Sequence, residues 1–190
     1  MNSQDAIGGR NARNRRIFRW PESRARALWL LLACLLPLAG GCQARQEEKT
    51  AVGITGIDHL ADHLSVQDFS VAGYGGGRAG GGGGTVCCAM LPAKWRPDLR
   101  VKVEWLEQNW RGCSYRRLQQ EVPIDRYEEA GHLWVHFLAD GSVRVVSSGL
   151  DAPESPTYPG PHDPIPQKHP WKDYPSVEHC NKQWKDVTQP

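Results

Sequence analysis

Six cysteines, seven histidines and a glycine run are the parts of this 190-residue chain that could do chemistry. The stretch from Gly75 to Pro97, GGGRAGGGGGTVCCAMLPAKWRP, gathers several of them. A phosphate loop needs glycines at set spacing and a helix starting directly after them, so that amides and dipole face the anion. No Gly-Lys-Ser/Thr follows this run, and Thr85–Leu91 reads as a strand. The glycines are therefore expected to form a flexible loop, and Gly73–Gly84 is a candidate partner-facing segment.

The cysteines come next. Cys34 lies in an apolar run expected to be removed, and Cys42 has a separate role given below. Cys87, Cys88, Cys113 and Cys180 remain. A zinc site draws on pairs of ligands spaced by two to four residues, and a redox pair on Cys-x-x-Cys; neither spacing occurs. An even count in an exported chain suggests two disulfides. Neighbours in a strand point to opposite faces, so Cys87 and Cys88 are expected to take different partners, Cys113 and Cys180 serving one each. The alternative is that one or both adjacent cysteines are buried thiols.

Histidines form two i,i+4 pairs, His59/His63 and His132/His136. Each pair shares one side of a helix or strand, but no third ligand and no metalloprotease glutamate accompanies it. A metal-binding enzyme or hydrolase built on His132 and His136 is thus the weakest reading. No Gly-x-Ser-x-Gly elbow occurs either. No catalytic activity, cofactor, metal or small-molecule substrate is expected.

The elements that would position these residues are strands. Leu99–Leu106 is the clearest: Val101, Val103 and Trp105 point one way, Lys102 and Glu104 the other. Val52–Ile57, Ser65–Tyr74 (with a bulge), Thr85–Leu91 and Ser114–Ile124 are further strands, Leu118 and Val122 facing inward in the last. Thr85–Leu91, nearly all apolar, is expected to be buried on both faces. His132–Ser148 reads as a hairpin turning at Asp140-Gly141. Ile54–Leu64 could form a short helix, but strand-then-loop is preferred. The fold class is all-β: a small antiparallel β-sandwich or partly open barrel spanning 51–150. Residues 151–190 are a Pro-rich extended tail, docked on the domain by Trp171, Tyr174 and Trp184.

Charge is unevenly placed. Residues 1–41 hold seven Arg against Asp5 and Glu22, while the remainder holds 16 basic and 19 acidic side chains. The basic head therefore gives no reason to expect a nucleic-acid partner; it precedes an uncharged apolar run, Ala27–Gly41, as in a secretory signal. Ala39-Gly40-Gly41-Cys42 resembles a bacterial lipobox, which implies lipidation of Cys42 as the mature N-terminus. Arg15 and Arg16 also resemble part of a twin-arginine export motif. Residues 42–50 would then be a tether, and two acyl chains would hold the protein firmly to a bilayer. Gln43, rather than aspartate, resembles the sorting signal for the outer membrane, with the domain facing the periplasm.

The run CC-x-x-LP-x-KWRP, Val122–Tyr127 (VPIDRY), His132–Ser148 and the tail PxxPxYPGPHDPIP together resemble a family of bacterial exported lipoproteins catalogued as a domain of unknown function. The resemblance runs from about Gly53 to Pro166. Several members look like immunity proteins found beside lipase effectors of the type VI secretion system. This implies a periplasmic lipoprotein that binds a phospholipase effector and blocks it. Tyr74, Arg78, Lys94, Trp95 and Arg96 are the candidate partner-binding residues, because aromatics and Arg dominate binding hot spots. For Trp95, packing between Pro92 and Pro97 is the competing role. The alternative function is a structural or assembly lipoprotein of the envelope with no inhibitory role.

Overall fold

A computed structural model describes residues 47–80, 85–149, 152–174, 180 and 184–188. The signal-like head, Cys42, and residues 81–84 of the glycine run lie outside the described residues. Among those described, no helix is long and apolar enough to cross a membrane.

The chain forms β1 (Lys49–Asp58), β2 (Leu64–Val71), β3 (Tyr74–Gly77), β4 (Val86–Pro92), β5 (Arg100–Asn109), β6 (Ser114–Pro123), β7 (His132–Phe137) and β8 (Val143–Ser148). A single helical turn, α1 (Pro170–Asp173), and a two-residue strand, β9 (Lys185–Asp186), follow. Two sheets pack face to face: the first in the order β4-β1-β7-β8, the second in the order β3-β2-β5-β6-β9. The fold is an all-β sandwich with no closed barrel. Strand-then-loop holds across Ile54–Leu64, and the expected bulge in β2 falls between Val66 and Asp68.

Alternation builds the core. Val101, Val103 and Trp105 of β5 face inward, as do Ile54 of β1, Leu133, Val135 and Phe137 of β7, and Val145 of β8. Phe137 lies between the layers, its ring centroid 5.5 Å from Phe69 and 5.6 Å from Trp105. Burying each such side chain contributes about 1.5–3 kcal/mol.

The sheets are mixed rather than purely antiparallel. β1 and β7 run parallel, with Ile54 opposite Leu133 and Ile57 opposite His136. They can do so because β2 to β6 are inserted between them in sequence, giving the chain length to cross over. β6 also leans across: Ile124 bridges to Val145, and Asp125 N–H donates to the Val145 carbonyl at 2.9 Å. This covers the free edge of β8.

Two expectations are corrected here. β4 is an edge strand, not one buried on both faces: Val86 and Met90 are exposed while Ala89 and Leu91 are buried. An apolar run carries no record of whether a second neighbour exists. The first part of the glycine run is likewise not a flexible loop. Gly75–Gly77 belong to β3, and a Cβ at Gly76 would collide with the Phe69 ring. Gly56 meets the same ring from the other sheet, so glycine at both places lets Phe69 lie between the backbones.

Candidate functional site

The histidines meet across the parallel pair rather than along one strand. His136 lies on the outer side of β7, opposite Ile57, and His59 follows β1 directly. His59 Nε2 is 2.9 Å from His136 Nδ1, and His136 Nε2 is 2.6 Å from the Tyr158 hydroxyl in the tail. His59 Nδ1 is 3.1 Å from the Pro164 carbonyl. All three side chains are buried, His136 completely. Burial, helped by neighbouring His59 and Arg144, draws the His136 imidazole down to about 3. Burial likewise pushes the Tyr158 phenol well above its ordinary value. His136 and Tyr158 are thus neutral at neutral pH, joined in one hydrogen-bonded chain with His59.

A second node sits beside it. Asp58 ends β1, its carboxylate 2% exposed, and accepts from Leu60 N–H at 2.9 Å and from Lys168 Nζ at 2.8 Å. Lys168 also donates to the Leu60 carbonyl at 2.9 Å. The turn between β1 and β2 and the far part of the tail are thus fastened by one ion pair. Arg78, Gly80 and His169 line the adjoining cleft of about 320 Å3 with Asp58 and Lys168.

Tail residues therefore form a third layer over the first sheet. Tyr158 packs edge-on to Trp134, whose indole N–H donates to Ser148 Oγ at 3.0 Å. His132 bonds Thr55 Oγ1 at 2.8 Å, and burial lowers its imidazole below the ordinary value. His63, the remaining member of the predicted pairs, is half-buried and joins no cluster with His59. Among the described residues, no three His, Cys, Asp or Glu side chains converge so as to hold a metal ion.

Of the predicted docking residues, Tyr174 hydrogen-bonds Arg111 at 3.0 Å and Trp184 packs edge-on to Trp110. The Trp171 side chain lies outside the described residues. Tyr158, the principal anchor, was missed; it stands in a Pro-rich stretch without periodicity, and only its aromaticity among prolines marked it.

The cysteines pair differently from expectation. Cys113 and Cys180 are bonded to each other, their Cα atoms 5.3 Å apart, within ordinary bridging reach. Cys113 stands in the turn between β5 and β6 of the second sheet, while Cys87 and Cys88 stand on β4 of the first. That separation leaves Cys87 and Cys88 with each other, and their sulfurs are in contact. Alternation along β4 was a poor guide because pairing was settled by which strands are neighbours.

The candidate partner-binding residues divide between two places. Arg78 is exposed beside the Asp58–Lys168 cleft. Tyr74 is exposed at the β2–β3 turn, where Ala72 N–H donates to the Lys102 carbonyl near the start of β5. Lys94 and Arg96 are exposed in the loop entering that same strand. Trp95 packs on the core and donates its indole N–H to the Ile124 carbonyl at 2.9 Å. It props the crossing of β6 between sheets, so packing is its role here. Arg96 pairs with Glu47 at 2.7 Å and with Asp98 at 3.2 Å. The chain therefore enters the domain at the end carrying Tyr74 and Lys94-Trp95-Arg96.

No curated protein and no solved structure matches this chain. Residues 61–145 match the family model described as "Protein of unknown function (DUF3304)", a span that holds Tyr74, Cys87-Cys88, Lys94-Trp95-Arg96 and His136 but ends before Tyr158, Lys168 and Cys180.

Proposed function

We propose that this protein is a lipid-anchored periplasmic immunity protein that binds a phospholipase effector of the type VI secretion system and blocks it. It acts by binding, not by catalysis. The observation that carries the reading is the Glu47–Arg96 pair, which ties the KWRP loop to the point where the chain enters the domain. Cys42 precedes Glu47 by five residues, a reach of at most about 18 Å. With Cys42 acylated, Glu47 and the Lys94–Arg96 loop paired to it through Arg96 would be held close to the bilayer. A phospholipase must work at the same surface, so a blocker tethered there meets its target where the damage is done. Tyr74, Lys94 and Arg96 then offer an aromatic and two cations at the rim of the contact.

The test is a binding and activity assay of the purified protein against a phospholipase encoded beside it. Stoichiometric loss of lipase activity is expected, weakened by Tyr74→Ala together with Lys94→Ala. If the protein neither binds the lipase nor slows it, the immunity reading is wrong. Cys42→Ala is expected to move the protein from the membrane to the soluble fraction; unchanged partition would refute the anchor.

A further inference from the structure

We propose that residues 152–169 form an acid-sensitive strap, held on the outer face of the first sheet by a directed chain of neutral hydrogen-bonding groups and lifting from that face as pH falls.

The direction of the chain follows from its end. The Pro164 carbonyl can only accept, so His59 Nδ1 carries a proton and donates. With that one proton on the His59 ring, the other nitrogen, Nε2, is an acceptor, and His136 Nδ1–H donates to it. That leaves His136 Nε2 to accept from the Tyr158 O–H. Every atom has one role, and the phenol stays a donor because burial pushes its ionisation to higher pH. A proton added at His136 Nε2 takes away the acceptor of the Tyr158 O–H in a place without water-facing surface. It also creates a buried cation.

The surroundings give that cation no counter-charge. From β8, Arg144 faces the pair and adds repulsion. Asp125, on the connection between β6 and β7, is engaged by Arg144. Asp58, at the end of β1, is engaged by Lys168 of the tail. From the tail, His162 lies against the Tyr158 ring and donates its Nε2–H to the Tyr158 carbonyl at 3.0 Å. His132, four residues back on β7, is held neutral by its own burial. Both carboxylates near the cluster are thus occupied by other cations.

The sign follows from linkage. With the strap docked, His136 titrates at about 3; released, it returns to an ordinary imidazole near 6.5. The released form binds the proton more readily across that window, so docking is fully favoured above about 6.5 and weakens progressively below it. Between pH 7 and pH 5 the fraction of open strap should rise about 25-fold. The strap cannot leave altogether, since Ser148 of β8 precedes it and the Cys113–Cys180 bond holds the chain beyond it.

Proteolysis of the full chain tests this, with cleavage rates normalised at each pH to an unstructured peptide of the strap sequence. A cut within 149–169 leaves the protein in one piece until the Cys113–Cys180 bond is reduced, and after reduction the fragment sizes tell strap cuts from cuts in the core strands. Normalised strap cleavage about 25-fold faster at pH 5 than at pH 7, with β5 and β6 uncut, is the expected result. Equal rates at the two pH values, or strap and core cut together, would overturn the proposal. His136→Gln should abolish the pH dependence. Should that variant fail to fold, Tyr158→Phe keeps the ring against Trp134 but removes the donor, and should open the strap several-fold at pH 7. Strap cleavage unchanged in Tyr158→Phe also overturns it.

Discussion

The two sheets of this sandwich share a core but differ on their outer faces. The first sheet turns Thr55, His132, Trp134, His136 and Ser148 outward, and the tail covers the part around His136 and Trp134 through Tyr158. The second turns Asp68, Ser70, Glu104, Leu106, Arg117 and Gln119 toward an open groove of about 610 Å3. Polar side chains under a cover must each find a partner, because an unpaired buried donor or acceptor costs about 1–3 kcal/mol. Polar side chains on an open sheet have water. Among the described residues, no buried side-chain nitrogen or oxygen lacks a partner. The covered face is therefore specific and the open face permissive.

Four variants sharpen that contrast. The cover's far attachment should matter most: replacing Cys113 and Cys180 by Ala frees a loop of sequence separation 67, and should cost about 4 kcal/mol in denaturant unfolding. Lys168→Met leaves the Asp58 carboxylate buried without its cation, and should cost about 3 kcal/mol by the same measurement. Tyr158→Phe deletes one hydrogen bond and leaves His136 Nε2 without its donor, for about 1–2 kcal/mol at pH 7. On the open face, Glu104→Ala removes only the exposed pair with Lys102 and should change stability by less than about 0.5 kcal/mol. A Glu104 effect as large as that of Tyr158 would break the contrast between the faces.

The same contrast explains what the amino-acid sequence made legible. β5 could be read directly, since one face is core and the other is water, and its period-two pattern records both. The turn at Asp140-Gly141 was equally plain: Gly141 has φ +84, and Asp140 accepts from Ser142 N–H and O–H, which hold its carboxyl below the ordinary range. The outer residues of β7 were opaque because their burial depends on Tyr158, 22 residues beyond His136 in the chain. His59 and His136 are 77 residues apart and meet only through the parallel register of β1 and β7. Local spacing instead suggested His59/His63 and His132/His136, each a correct statement about one strand or turn and silent about its neighbour. Cysteine pairing failed for the same reason. Gly76 was misread in another way: the space of its absent side chain is occupied by Phe69, so close packing was mistaken for flexibility.

The path of the chain after β8 constrains the order of assembly. It lies over the first sheet, returns to the second, bonds Cys113 through Cys180 and then adds β9 beside β6, Ser114 opposite Lys185. One segment thus girdles both layers. During synthesis from the N-terminal side, the sandwich strands can pair early, but the girdle closes only after residues 180–186 have emerged. Until then no covalent bond holds the tail against the sandwich. The Cys113–Cys180 bond then completes the fold, so strand pairing and locking are separate events in time.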